Sequence, residues 1–336
     1  MDTKNTVFDV EALICKACNA DSAFALEDIQ SLWSGYGVIR RYAVNGASVP
    51  SVVVKHIVLP EQSQHPRGWN TAFSHQRKLN SYRVESHWYR DWNHLCDRGC
   101  PTAKAYWLEE RDSETIIIME DLDAAGFALR KDDANLNDMQ QCLSWLASFH
   151  ACFMVEAPQV LNVNGLWEQG CYWHLATRPD ELQALQDSLL KKAAPLIDKA
   201  LNASPFQTLV HGDAKLANFC FAENGKNVAA VDFQYVGAGC GMKDVAYFIS
   251  SCLDESTCEK MEKTLLDFYF SALGKELVRR KKTIAIEKLE ANWRPLYAYA
   301  WADFYRFLKG WSPGHWKVHR YSNNLCRHVI QQLNIK

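Results

Sequence analysis

Apolar residues along this chain follow more than one rhythm. Over residues 7–33 they recur every three or four positions (Val10, Leu13, Ile14 and Ala17, then Leu26, Ile29, Leu32 and Trp33), which predicts helix. From Gly37 the rhythm changes. Runs rich in β-branched residues at 37–44 and 51–58 flank Asn45-Gly46, the signature of a tight strand pair. Residues 61–74 are polar, with Pro66 and Gly68, and read as an exposed loop. A second helix is expected over 75–99, carrying Tyr82, Trp88, Tyr89, Trp92 and Leu95, and strands return at 104–109 and 114–120. Beyond Asp121 the pattern is mostly helical, at 138–153, 179–201, 258–273 and 283–308. A strand-rich island at 208–234 interrupts it. The expected class is therefore α+β: a small sheet lobe, residues 1–121, joined near Glu120-Asp121-Leu122 to a larger helical lobe, residues 122–336.

Composition narrows the function. The 336 residues, 48% hydrophobic and 12% aromatic, suffice for a two-lobed globular chain. A formal charge of −2 argues against an electrostatic grip on nucleic acid. No apolar run approaches a membrane span, and the first residues lack the pattern of a secretory leader. Twelve cysteines then read as free thiols in a reducing compartment, so the expectation is a soluble, cytoplasmic protein. Cys15 and Cys18 form a CxxC and Cys96 and Cys100 lie close, but no His-x-x-x-His accompanies them, which disfavours structural zinc.

The chemistry concentrates in the island, in His211-Gly212-Asp213-Ala-Lys215-Leu-Ala-Asn218 and Asp232-Phe233-Gln234. Strand–loop–strand signals place Asp213 and Asn218 on one loop and bring Asp232 back beside Asn218. A carboxylate and a carboxamide make a poor all-protein cage, yet they suit Mg²⁺, which takes its remaining oxygens from water and substrate phosphates. Asp213 would then be free to accept a proton from an attacking hydroxyl. Lys215 could approach a transferred phosphoryl group.

This run resembles the catalytic loop and metal motif of protein kinases. With Gly after the His, it is more similar to the aminoglycoside phosphotransferase and choline kinase superfamily. Asp-Phe-Gln, His-Gly-Asp and Glu120-Asp121-Leu122 together are most similar to the ecdysteroid kinase-like branch. The resemblance implies a bilobal protein-kinase-like fold, with an antiparallel sheet in the small lobe, and transfer of the γ-phosphoryl group of ATP to an alcohol of a small acceptor. It implies that Lys55 holds phosphates, that Glu85 pairs with Lys55, and that the backbone at Glu120 and Leu122 meets adenine. Asp244 would support the catalytic loop. Two alternatives remain: a catalytically silent nucleotide-binding kinase fold and a protein kinase.

Some positions depart from that pattern or read two ways. No Gly-x-Gly-x-x-Gly precedes Lys55, so a phosphate clamp would have to be the Asn45–Ser48 turn, with Asn45 and Gly46, through its backbone N–H groups. Gln234 replaces a flexible glycine. His211 and His150 read as packing residues, and residues 237–241 as a flexible loop. Trp293, Tyr297, Trp301, Phe304 and Leu308 recur at helical spacing and read first as a buried face. The resemblance adds a second reading, an acceptor-pocket wall in which Trp301 and Asp303 touch substrate. The sequence leaves the acceptor and the oligomeric state open.

Overall fold

The computed structural model describes residues 8–32, 35–59, 72–111 and 113–335. Helix α1 (Val10–Cys18) begins at Asp9, whose side chain accepts the Ala12 amide, and ends at Asn19 in the left-handed conformation, φ 53°. The chain then extends as β1 (Ser22–Ser31), against the helical expectation. The reason is register. β1 pairs antiparallel with β2 (Gly37–Asn45), with irregularities between Ala25 and Glu27 and between Asp28 and Gln30. Each bulge adds a residue, so the exposed Leu26 and Ile29 fall three apart and imitate a helical period.

With β3 (Ser51–Val58), β4 (Ala105–Arg111) and β5 (Glu114–Glu120), these strands form an antiparallel sheet in the order β1-β2-β3-β5-β4. Its central strand pair is buried on both faces. From β5, Ile116 and Ile118 join a small core with Val52, Val54 and Ile14, whereas Ile117 and Met119 face the main core. Helix α2 (Ala72–His87) continues through a π-helical turn at Trp88–Trp92 and a 3₁₀ turn at Asn93–Leu95, so the regular helix expected over 75–99 stops early. Most of the loop expected at 61–74 lies outside the described residues.

The remainder is largely helical: α3 (Leu136–Phe153), α4 (Pro179–Ala184), α5 (Ser188–Asn202), α6 (Met242–Cys252), α7 (Glu255–Arg279), α8 (Ile286–Trp311) and α9 (Arg320–Gln332). One helix was expected over 179–201, but Asp187 caps a fresh start and splits it into α4 and α5. The island supplies β7 (Phe206–Val210), β8 (Phe219–Phe221) and β9 (Val228–Ala230), preceded by the short β6 (Val155–Glu156). Residues 237–239 are not a loop. They form β10 (Gly237–Gly239), paired antiparallel with β7, and a side chain at Gly237 would strike the Trp167 carbonyl. The architecture is the expected small antiparallel-sheet lobe and larger helical lobe of a kinase-like fold. Among the described residues, no helix is long and apolar enough to cross a membrane.

Candidate active site

Between sheet and helices lies a cleft of about 1040 Å³. Part of its lining is apolar, from Ile39, Val53, Met119, Cys220 and Val231, and Glu120 and Leu122 line it as well. Lys55, on β3, also enters it. Its Nζ donates to Glu85 Oε2 on α2 at 2.6 Å, and both side chains are almost fully buried. Burial pushes the Glu85 pKa up and Lys55 draws it part of the way back. Just past Glu85, the indole of Trp88 stacks on Phe233, with centroids 4.3 Å apart. That contact ties α2 to the Asp-Phe-Gln segment and so fixes where Glu85 meets Lys55.

The loop after β7 is braced from behind. Asp244, on α6, accepts the backbone amides of His211 at 2.6 Å and Gly212 at 2.9 Å. His150 bonds the same carboxylate at 3.1 Å and Tyr269 at 2.8 Å, deep in the core. Gly212 has φ +78°, and a side chain there would collide with the Tyr235 carbonyl. His211 bonds the Val231 carbonyl and packs against Phe233, joining the loop to the strand that leads to Asp232.

Asp213, Lys215, Asn218 and Asp232 all line the cleft with Lys55 and Glu85. Lys215 Nζ donates to Asp213 Oδ2 at 3.0 Å. The Asn218 amide nitrogen donates to the Asp213 carbonyl at 2.7 Å and to its Oδ2 at 3.1 Å, which leaves Asn218 Oδ1 as the atom free to meet a cation. Asp232 is held at φ +69°, a strained conformation for aspartate, and its buried Oδ1 has no hydrogen-bond partner. The two carboxylates are driven apart electrostatically. Burial lifts the Asp213 pKa, partly offset by Lys215. Burial opposes ionisation of Asp232 as well, but Lys55, Lys78 and Lys215 outweigh it and hold its pKa below the usual range.

Four expected residues stand elsewhere. Asn45 bonds Ser22 on the outer sheet edge, and Gly46 packs against Asp21; neither reaches the cleft. The turn that does reach it joins β1 to β2, with Leu32 and Tyr36 in the lining and Gly35 and Gly37 at φ +75° and +131°. Trp301 and Asp303 are buried away from the cleft; Asp303 pairs with the buried Arg306 at 2.6 Å. Their helix nevertheless contributes Phe304, Phe307, Leu308 and Trp311 to the lining.

Two lysines in the cleft carry no motif. Lys78 Nζ donates to Gln234 Oε1 at 3.0 Å, lies over Tyr82, and is brought down to about 8 by burial and by Lys55. Lys317 enters from the loop between α8 and α9. A lysine followed a turn later by Tyr82 on the cleft-side face of a helix was a faint signal for the first; nothing local marks the second. All twelve cysteines are free, and no group of three or more His, Cys, Asp or Glu with metal-holding potential occurs among the described residues.

The ecdysteroid kinase-like family model matches residues 88–172 and 167–281, more than half of the chain. Solved structures similar to it include an amicoumacin kinase, hAmiN, in complex with AMP-PNP, Ca²⁺ and Ami, at 14% identity and TM-score 0.48, covering 97% of this chain and 93% of that one. Choline kinase LicA from Streptococcus pneumoniae matches at 13% identity and TM-score 0.45, covering 97% of each chain. A Plasmodium vivax ethanolamine kinase matches at 12% identity and TM-score 0.47, covering 94% of this chain and 81% of that one. A search of curated proteins found no match.

Proposed function

The chain belongs to the ecdysteroid kinase-like family, and on that footing we propose that it transfers the γ-phosphoryl group of ATP, with Mg²⁺, to a hydroxyl of a small acceptor. The observation that carries this reading is the shared cleft. One cavity holds a buried lysine–glutamate pair, a carboxylate with a raised pKa, and a second carboxylate with a lowered pKa and an unpartnered oxygen.

In this reading ATP lies between the lobes, residues 1–121 and 122–336, with adenine against apolar lining residues such as Val53 and Met119, at the backbone of Glu120 and Leu122, and phosphates on Lys55. Glu85 keeps that ammonium aimed at them. Asn218 Oδ1 and Asp232 Oδ1 fit Mg²⁺ in kind: two oxygen donors, one of them buried and unsatisfied. The ion would neutralise charge on the phosphates when bound. Asp213 takes the acceptor proton; its lifted pKa makes it the better base, and Asn218 and Lys215 fix its orientation. Lys215 and Lys78 add positive charge where the phosphoryl group moves, so positioning and electrostatics supply most of the acceleration.

The test is ATP consumption over a chemically diverse panel of alcohols, with mass spectrometry for the added phosphate. Acceptor-dependent consumption that EDTA abolishes is expected. Failure to bind Mg²⁺-ATP in calorimetry would sink the reading.

A further inference from the structure

The cleft holds a buried lysine that none of the sequence motifs accounts for. Lys317 is buried and lines the cleft, yet its Nζ makes a single hydrogen bond, to Ser250 Oγ on α6 at 3.2 Å. Ser250 spends its own proton on the Tyr247 carbonyl, so it offers Lys317 only a lone pair. Aromatic faces surround the ammonium: Tyr247 at 4.9 Å, Trp316 at 5.3 Å and Phe304 at 5.4 Å from ring centroids. No carboxylate among the described residues forms an ion pair with it. By contrast, Lys55, Lys215 and Arg178, which also line the cleft, pair with Glu85, Asp213 and Glu181. An ammonium has three donors, and a buried one with two unused is costly unless something else accepts them.

Its position relative to the reaction centre is fixed. The Tyr247 phenol lies against Asp213, whose charge helps push the phenol's pKa up, and the Lys317 ammonium lies over the same ring, 4.9 Å from its centroid. The loop is pinned as well: Lys317 N donates to His315 Nδ1, and Ser322 Oγ donates to the Lys317 carbonyl. A hydroxyl at Asp213 thus neighbours the same tyrosine as the ammonium.

We propose that Lys317 is a specificity-determining residue that binds an anionic oxygen substituent of the acceptor, so that the preferred substrates are aromatic or polycyclic alcohols carrying a carboxylate or similar oxyanion, not ammonium alcohols. This rests on the phosphotransferase reading for what happens at the hydroxyl, but the recognition itself is a binding property. The surrounding rings take the apolar body of the ligand. Because Lys317 already occupies the aromatic cage, a cationic ligand group would meet like charge where it would otherwise find ring faces.

The test uses matched probes: para-hydroxymethylbenzoate, its methyl ester and para-hydroxymethylbenzylamine, with the corresponding naphthalene trio. Their binding is measured by calorimetry and ligand-detected NMR to the full chain and to Lys317→Met and Lys317→Arg. The carboxylates should bind at least about tenfold tighter than ester or amine, the size of one charge-assisted hydrogen bond. That preference should survive in Lys317→Arg and collapse in Lys317→Met. Equal binding of the three, an amine preference, a carboxylate preference unchanged in Lys317→Met, or binding by no probe overturns the inference. Titration of the same samples with Mg²⁺ and AMP-PNP is read separately. Loss of nucleotide binding there would defeat the phosphotransferase reading whichever probe wins.

Discussion

Removing Glu85 should uncouple stability from catalysis in a measurable way. In Glu85→Ala the Lys55 ammonium loses its 2.6 Å partner while remaining almost fully buried. Breaking a buried ion pair from one side costs about 3–5 kcal/mol. The lower end applies here, because Lys55 already lies close enough to Asp232 to depress its pKa, and Asp232 Oδ1 is free to answer it. At roughly 2.1 cal/mol/K of unfolding entropy per residue, a chain of 336 residues loses about 4 °C in Tm for that lower-end cost of about 3 kcal/mol. The paired change Lys55→Met with Glu85→Leu removes both charges and should recover most of the Tm, since well-packed apolar substitutes replace a buried pair at little cost. It should not recover turnover, because no ammonium then faces the phosphates. Differential scanning fluorimetry and ATP-consumption kinetics on the three proteins decide the matter. Wild-type Tm in Glu85→Ala, or wild-type kcat in the double variant, would refute the reasoning.

Asp213→Asn should lower kcat by on the order of 10²-fold or more with ATP affinity nearly unchanged, and wild-type turnover would remove Asp213 from the base role. Trp301→Ala should cost about 3–5 kcal/mol of stability, seen in denaturant unfolding, while the acceptor KM stays close to wild type. A raised KM with no stability loss would return Trp301 to the pocket. For an anionic acceptor, with ATP saturating, kcat/KM should fall as pH rises through about 8, because burial has brought Lys317 down to that value and only its protonated form binds an oxyanion. Asp213, Cys252 and Cys258 pull that pKa up and Lys215 pushes it down, so the limb belongs to Lys317 only if Lys317→Met flattens it.

The parts of this molecule that could be read from the sequence are those where the chemistry is local. Asp213, Lys215 and Asn218 sit within six residues, and Asp232 follows on the next strand, so spacing alone predicted that they would share a cleft. Lys55 and Glu85 were reachable only through the resemblance, since a strand lysine and a helix glutamate carry no joint signature. The strand β1 was hidden because its bulges reproduce a three-residue period. Trp301 and Asp303 were ambiguous because α8 is buried continuously from Ala300 to Leu308, and periodicity cannot separate a core face from a cleft face there. The turn that lines the cleft was overlooked for a related reason: with β1 taken for helix, the first visible hairpin was β2–β3, and the turn between β1 and β2 went unread. Lys78 and Lys317 acquire meaning only from tertiary neighbours, namely Gln234 for one and the ring of Tyr247, Phe304 and Trp316 for the other.

Gln234 has a further bearing on how such a protein could be governed. Its Oε1 accepts from both Lys78 and Ser81, at 3.0 and 3.2 Å, stitching the segment after Asp232 to α2. Where a glycine would let this stretch pivot, two side-chain bonds must part before it can leave its place. On the phosphotransferase reading proposed above, a segment fastened this way would need no separate activating step. The protein's output would follow how much protein and acceptor are present, and a compound whose binding demands an outward swing of that stretch would find the door bolted.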